Sequence, residues 1–516
     1  MNNTTSSADF QAQNTQLNNR ISELEGTVAE LSALVKHFEE LFKLSQLKRF
    51  GSSSEKTASG LDQFSLFGET VPPMPVVAEP ETEEIAYKRR KQKGKRQEDL
   101  SKLPLEVVLH EIPEEQRQCL ECGDVMREFG AETRDEIKIV PAKVIHVQHR
   151  QKVYKCGKCA QTSDKTPIVK AAMPEPVIKG SAASASAVAF IMTQKHLMHL
   201  PFYRLEQDFL RQGVFINRQN MANWSIQVCD NWLQPIYNKL REQLLRDQVL
   251  HGDETTLQVL REEGKSAQSK SYMWMYRTGG ASKSPVVLYE YQPDRGGEHP
   301  ETFLNGWHGY LHTDGYAPYH SINNVTVVGC WAHVRRKFDE VFKITKVPDS
   351  PAKIGLDYCN RLFALERKFA DMQPDERLKM RQELSVPVAD AFFAWAQSVN
   401  LPPKLAISRA ITYAINQKQW LENVFLDGRL ELSNNRAERS IKPFVMGRKN
   451  WLFSNSVSGA KASAIAFSLI ETAKENGLKP FEYLEFLLET LPNSKMDSLD
   501  NLMPWSNNLP PECRML

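Results

Sequence analysis

The 516-residue chain has no run of about 18 apolar residues, so nothing in it reads as a membrane-spanning helix. Its opening, MNNTTSSADFQAQNTQ, lacks the charged start and apolar stretch of a secretory signal, and a cytoplasmic location is expected. Net charge is small: 65 Lys and Arg face 63 Asp and Glu, for a formal +2. Such a balance does not announce a nucleic-acid partner as a strongly basic chain would, provided the charge is spread evenly. Cysteines are few, eight in all, at positions 119, 122, 156, 159, 229, 330, 359 and 513. In a reducing compartment disulfides explain them poorly. What is present, 41% hydrophobic and 25% charged, is ordinary globular composition, long enough for roughly three or four domains.

The charge is not spread evenly. Residues 51–85 hold seven acidic residues and one Lys, with Gly-, Ser- and Pro-rich ends and little periodicity, as expected of a linker. Lys88, Arg89, Arg90, Lys91, Lys93, Lys95 and Arg96 follow within nine residues. Seven like charges repel one another unless a polyanion neutralises them, so this run is either a solvated surface or a nucleic-acid contact. Residues 435–455 carry five cations around one Glu, whereas 480–516 carry six acids and two cations. Near-neutrality is therefore a cancellation between segments.

Leu17, Ile21, Leu24, Val28, Leu31, Val35, Phe38 and Phe42 alternate steps of four and three. With β-branched residues at one heptad position and Leu at the other, the seam predicts a parallel two-stranded coiled coil. A helix packed on its own domain is the alternative. Cys119, Cys122, Cys156 and Cys159 form two C-x-x-C pairs 33 residues apart. Two thiolate pairs can complete a tetrahedral zinc site, and Gly123 and Gly157 ease the knuckle turns. A redox role needs only one pair. His146 and His149 between the pairs read as strand surface. Phe202–Trp232 has the outline of two helices joined at Gly213, a helix-turn-helix or simply two helices.

From 247 the character changes. QVLHGDETTLQVL, SYMWMYRTG and SPVVLYEYQP predict an antiparallel meander. HPETFLNG predicts a short helix, YLHTDGYAPY and VTVVGCW two further strands, and AHVRRKFDEVF a helix. Helical pieces then run to 430, punctuated at Gln373-Pro374, Val386-Pro387 and Pro402-Pro403. Two C-terminal helices are separated at Gly477 and Pro480. The expected divisions are a coiled-coil helix (1–50), a linker with the basic run (51–100), a zinc-finger domain (101–170), a helical region (171–245), the first part of a mixed core (246–345), a helical insertion (346–430), a core helix (431–455) and a helical C-terminal domain (456–516). This strand and helix order is that of a ribonuclease H-like sheet, in which the first and fourth strands are neighbours.

Asp253 falls in the first strand of that sheet, Asp314 at the end of the fourth before Gly315, and Glu438 in SNNRAERSIKPF, where Ser433, Asn434 or Asn435 can cap a helix. Alternation sends the neighbouring Glu254 to the opposite face from Asp253. Each acid alone reads more readily as surface or cap. Clustered, three carboxylates repel unless a cation lies between them, and hard divalent ions such as magnesium suit that donor set. Two such ions support phosphodiester chemistry. Arg436, Arg439, Lys442, Arg448 and Lys449 around Glu438 are candidate phosphate contacts.

Taken together, RFGSSSEK after the coiled coil, the double C-x-x-C, KHLMHLPFYRLEQDFLRQGVFINRQNMANW, HGDETTLQV, LHTDGYAPY, VGCWAHVRRKF, SNNRAERSIKPFVMGRKNWLF and SLIETAKENGLKPFEYL resemble the transposases of the insertion-sequence 66 family. That family belongs to the DDE class of bacterial transposases, and the likeness covers nearly the whole chain. It implies a metal-binding triad of Asp253, Asp314 and Glu438 holding magnesium or manganese, and structural zinc on Cys119, Cys122, Cys156 and Cys159. The helical stretch between Asp314 and Glu438, 124 positions apart, resembles the insertion of some DDE transposases. Cys330 and His333 match a family motif without an implied role. The implied activity is cleavage of insertion-sequence ends and strand transfer into target DNA. The implied partners are terminal inverted repeats, target DNA, a second copy of the chain and small accessory proteins, in a nucleoid-associated bacterial setting. A ribonuclease H-like nuclease or resolvase, and a catalytically silent DNA-binding regulator, are the alternatives.

Overall fold

The computed structural model describes residues 142–155, 168–494 and 496–515, with scattered positions between 14 and 39. The described positions of the N-terminal seam are helical, and Leu17, Ile21, Leu24, Val28 and Val35 are half-exposed or more within the single chain. Leu31, Phe38, Phe42, the linker, the basic run and the four paired cysteines lie outside the described residues.

Strands β1 (Val153–Lys155) and β2 (Ile168–Lys170) pair antiparallel, with Val153 opposite Lys170. Helix α1 (Ala185–His196) follows, capped by the Ser184 side chain on the Ala187 amide. Helices α2 (Phe202–Arg211) and α3 (Arg218–Val228) are joined through Gly213, whose φ of +85° suits a residue without a Cβ. Leu205, Phe209 and Met221 pack with Ile191 into a small core of their own. From α3 a π turn (Cys229–Leu233) runs directly into α4 (Gln234–Leu244), with Pro235 in its first turn.

The principal sheet begins with β3 (Val249–Arg261), β4 (Lys270–Thr278) and β5 (Val287–Gln292), an antiparallel meander as the turn signals predict. The short helix α5 (Glu298–Phe303) leads to β6 (Gly309–His312) and β7 (Val325–Val328). Strand order is β5-β4-β3-β6-β7, with β6 parallel to β3 and β7 parallel to β6. Alternation along β4 sends Trp274 and Tyr276 into one core and Met273 and Met275 into another. A sheet covered on both faces leaves its chemistry for the strand ends and edges.

Helix α6 (Trp331–Thr345) leaves β7 and opens a helical run: α7 (Pro351–Lys368), α8 (Pro374–Met380), α9 (Val386–Ser398), α10 (Ala406–Asn416) and α11 (Lys418–Glu422). Pro374 starts a helix, but Val386-Pro387 does not break one. A π turn (Arg381–Ser385) bridges α8 to α9, and the wider turn makes room where Pro387 lacks an N–H and crowds the preceding turn. The wholly buried Arg381 binds Glu366 through Nε at 3.0 Å and the carbonyls of Asp427 at 3.0 Å and Leu430 at 2.7 Å. It thus fastens the helical insertion to the segment that re-enters the core.

That segment becomes α12 (Asn435–Trp451), followed by β8 (Ser454–Ser456), which pairs parallel with the far end of β3. Helices α13 (Val457–Glu475) and α14 (Pro480–Thr490) close the fold, separated by Gly477 at φ +67°. Arg277 of β4 is buried and donates to Glu475 of α13 at 2.9 Å and to Ser440 Oγ of α12 at 2.5 Å. Among the described residues no helix is long and apolar enough to cross a membrane.

Candidate functional site

Parallel pairing sets the site. β3 and β6 are in register with His251 opposite His312. Two residues further on in each segment stand Asp253 and Asp314, the latter just past the end of β6. The two histidines stack, with ring centroids 4.4 Å apart, and both are wholly buried beneath the acids. Beyond Asp314 the chain turns at Gly315, φ +90°, and the Asp314 carboxylate accepts from the Tyr316 amide at 3.1 Å. Tyr413, from α10 of the insertion, donates its hydroxyl to the Asp314 carbonyl at 3.1 Å.

Glu438 comes from the first turn of α12. Asn434 occupies the N-cap position as expected, but its side chain caps nothing. Its Nδ2 donates to the Gly252 carbonyl at 2.9 Å, and its Oδ1 lies 2.9 Å from His251 Nδ1. The helix is thereby fixed to the strand carrying Asp253, a tie worth more than an exposed cap because both partners are buried. The Asn434 backbone N–H donates to Cys330 Sγ at 3.2 Å, which gives the buried Cys330 a structural part at the start of α6.

The electrostatics record the convergence. Burial pushes the Asp253 carboxyl well above the usual carboxylate range, and Glu254, Asp314 and Glu438 push it the same way. A bond from the Glu254 amide to Asp253 Oδ1 at 2.8 Å opposes the shift. Glu254 is held elsewhere, by Arg295 Nε at 2.8 Å and the Tyr319 hydroxyl at 2.8 Å, as the alternation predicts. Glu438 Oε2 faces Arg336 at 3.3 Å, and Oε1 lies 3.7 Å from His333 Nε2. Glu438 Oε1 is buried without a hydrogen-bond partner. A buried, unsatisfied carboxylate oxygen within electrostatic reach of two more carboxylates supplies the donor type that a hard divalent cation takes, although the three groups would have to draw closer to share one. Among the described residues it is Asp294, Glu298 and His299, at and just before the exposed start of α5, whose ligand atoms lie within 4.8 Å of one another; Asp253, Asp314 and Glu438 are within electrostatic reach but not that close.

Of the cations expected around Glu438, Arg439, Lys442 and Lys449 are exposed. Arg436 pairs with Glu431 at 2.6 Å. The Arg448 guanidinium is taken up by β3, 3.0 Å from the hydroxyls of Thr255 and Thr256 and bonded to the Thr256 carbonyl. Lys88, Arg89, Arg90, Lys91, Cys119, Cys122, Cys156 and Cys159 lie outside the described residues. Sequence reasoning left His333 without a role and passed over Arg336 and Tyr413. AHVRRKF reads as a helix, and only the joining of its start to the segment leading into α12 selects which of its polar groups meets Glu438.

Fold and site together define a mixed α/β protein in which two neighbouring strands and one helix bring three carboxylates within electrostatic reach. The chain belongs to the IS66 transposase family, whose model matches residues 180–462. The IS66 C-terminal element matches 468–505, a zinc-finger binding domain of transposase IS66 matches 116–160, and a domain described as transposase C of IS166 homeodomain matches 37–108. The family supports a transposase role with DNA as partner, and the zinc-finger match, which spans all four paired cysteines, supports structural zinc. The chain is similar to three proteins of Sinorhizobium fredii (strain NBRC 101917 / NGR234), each described as uncharacterized. It is 29% identical to y4qI over 78% of this chain and 75% of that one. It is 27% identical to y4jD over 77% and 79%, and 27% identical to y4hP over 90% and 87%.

Proposed function

We propose that the chain is a DDE transposase that cuts insertion-sequence ends and joins them to target DNA. The observation that carries this is the parallel register of His251 with His312, which sets Asp253 beside Asp314, while Asn434 holds the helix of Glu438 against the same strand. The strand order β5-β4-β3-β6-β7, with its antiparallel first half and parallel second half, supports a ribonuclease H-like core. The family match supports the transposase role.

In this reading Asp253, Asp314 and Glu438 would hold magnesium or manganese, which when bound would activate a nucleophile and offset charge on the leaving oxygen. Arg336, beside Glu438, and the exposed Arg439 and Lys442 bind phosphate oxygens around the scissile bond. Water attacks first and the freed 3′-hydroxyl attacks target DNA second, so no side chain becomes covalently attached. Cys119, Cys122, Cys156 and Cys159 hold the zinc. The basic run Lys88–Lys91 and the α2–α3 pair grip DNA outside the site, and the N-terminal heptads dimerise so that two ends are held together.

The test supplies purified protein with magnesium and labelled DNA carrying the element's ends, both intact and pre-cleaved. Nicking of the first and joining of the second are expected. Nicking without joining would make the protein a nuclease or resolvase, and binding without either a regulator.

A further inference from the structure

Helix α12 continues past Glu438 as an exposed stripe. At 3.6 residues per turn Glu438, Arg439, Lys442, Met446 and Lys449 fall within about 100° of one another, and from Glu438 to Lys449 is about 16 Å. Arg439, Lys442 and Lys449 are exposed, and Met446 between them is 50% exposed. The helix ends at Trp451, after which Leu452 (63% exposed) and Phe453 (41%) emerge, Leu452 at a φ of +66° rarely adopted by a residue with a Cβ. The turn between α1 and α2 adjoins this end. His199 Nδ1 comes so near Gly447 that a Cβ there would meet it at 3.1 Å, and His199 too has a positive φ, +59°. Lys195 Nζ lies 3.9 Å from the centre of the Phe202 ring and 5.8 Å from that of Trp451. The same turn exposes Met198 (60%) and Tyr203 (57%).

Strained backbone at two positions and large apolar side chains in water are costs that a bound partner can offset. The interleaved cations specify a polyanion. A paired duplex offers phosphates to those cations but turns its base faces inward, leaving Met446, Leu452 and Phe453 nothing to pack against. Unpaired nucleotides offer both phosphates and base faces. Resting on the transposase reading, we propose that this surface binds a short unpaired stretch, a few nucleotides long, of the strand leading into the site. Lys442 and Lys449 hold its phosphates, and Met446 and Phe453 its bases.

The experiment measures binding of the full chain to labelled element ends by fluorescence anisotropy in calcium, comparing fully paired ends with ends whose terminal five base pairs are mismatched. Wild type is expected to favour the mismatched end by about fivefold or more for each stacked base. Phe453→Ala and Met446→Ala are each expected to lower that preference by about fivefold or more, and the double variant to remove it, while affinity for the paired end and the thermal midpoint stay unchanged. Lys449→Ala is expected to weaken both ends alike. Equal affinity for the two ends in wild type, with nicking and joining intact, would overturn the proposal and leave the transposase reading standing. A change of solution mass in Phe453→Ala with no change in end preference would also overturn it, by making the surface an interface between chains. Failure to bind any end would overturn both.

Discussion

The side chain of Asn434 bridges to β3, with Oδ1 2.9 Å from His251 Nδ1 and Nδ2 2.9 Å from the Gly252 carbonyl. This side-chain amide ties the N-terminal end of the Glu438 helix to the Asp253 strand, as Arg448 ties the helix further along. Asn434→Ala leaves a buried histidine nitrogen and a carbonyl unpaired, at about 1–3 kcal/mol. The expected result is a lower thermal midpoint and a loss of nicking larger than the loss of end binding. Denaturation and a nicking assay at saturating DNA measure the two.

Arg381 lies outside the site but joins Glu366 to the carbonyls of Asp427 and Leu430. Arg381→Met removes one partner of a buried charge network and is expected to lower stability by about 3 kcal/mol. The check is urea unfolding, where an unchanged midpoint would show that the insertion is held by its apolar packing alone.

Much of this was legible in the sequence, for physical reasons. SYMWMYRTG reads as one strand of an antiparallel meander, and β4 is that strand, with Met273 and Met275 parted from Trp274 and Tyr276 on opposite faces. Once β3 and β6 are neighbours, the positions of Asp253 and Asp314 follow from register. The capping rule offered Ser433, Asn434 or Asn435; Asn434 takes the N-cap position, but its side chain is spent on β3, because a local propensity does not see a partner 182 residues away. The same limit hid Arg336 and His333, which meet Glu438 only because the fold brings together two helix starts distant in sequence. It hid Arg448 as well, whose guanidinium goes to Thr255 and Thr256. Pro387 illustrates a different limit: proline predicts a break, and a π turn removes the need for one.

The paired cysteines carry a separate prediction. Cys119→Ser is expected to lose bound zinc and to weaken binding of element ends, since a site short of one thiolate loses much of its affinity. Elemental analysis of the purified variant reads the metal directly. One zinc per chain in the variant would rule out this ligand set.

The heptad seam predicts assembly. Leu17, Ile21, Leu24, Val28 and Val35 are half-exposed or more in the single chain, which suits a seam waiting for a second copy. Deleting residues 1–47 is expected to halve the solution mass by light scattering and to reduce joining of paired ends more than nicking of single ones. An unchanged mass would move assembly to another surface.

Three carboxylates acting as one metal-binding unit is the claim on which the rest depends. Asp253→Asn keeps the shape of the side chain and removes its charge. With magnesium supplied, the variant is expected to bind labelled element ends as wild type does, while nicking and joining both fall by about a thousandfold or more. Nicking at the wild-type rate in Asp253→Asn would contradict the assignment of the site.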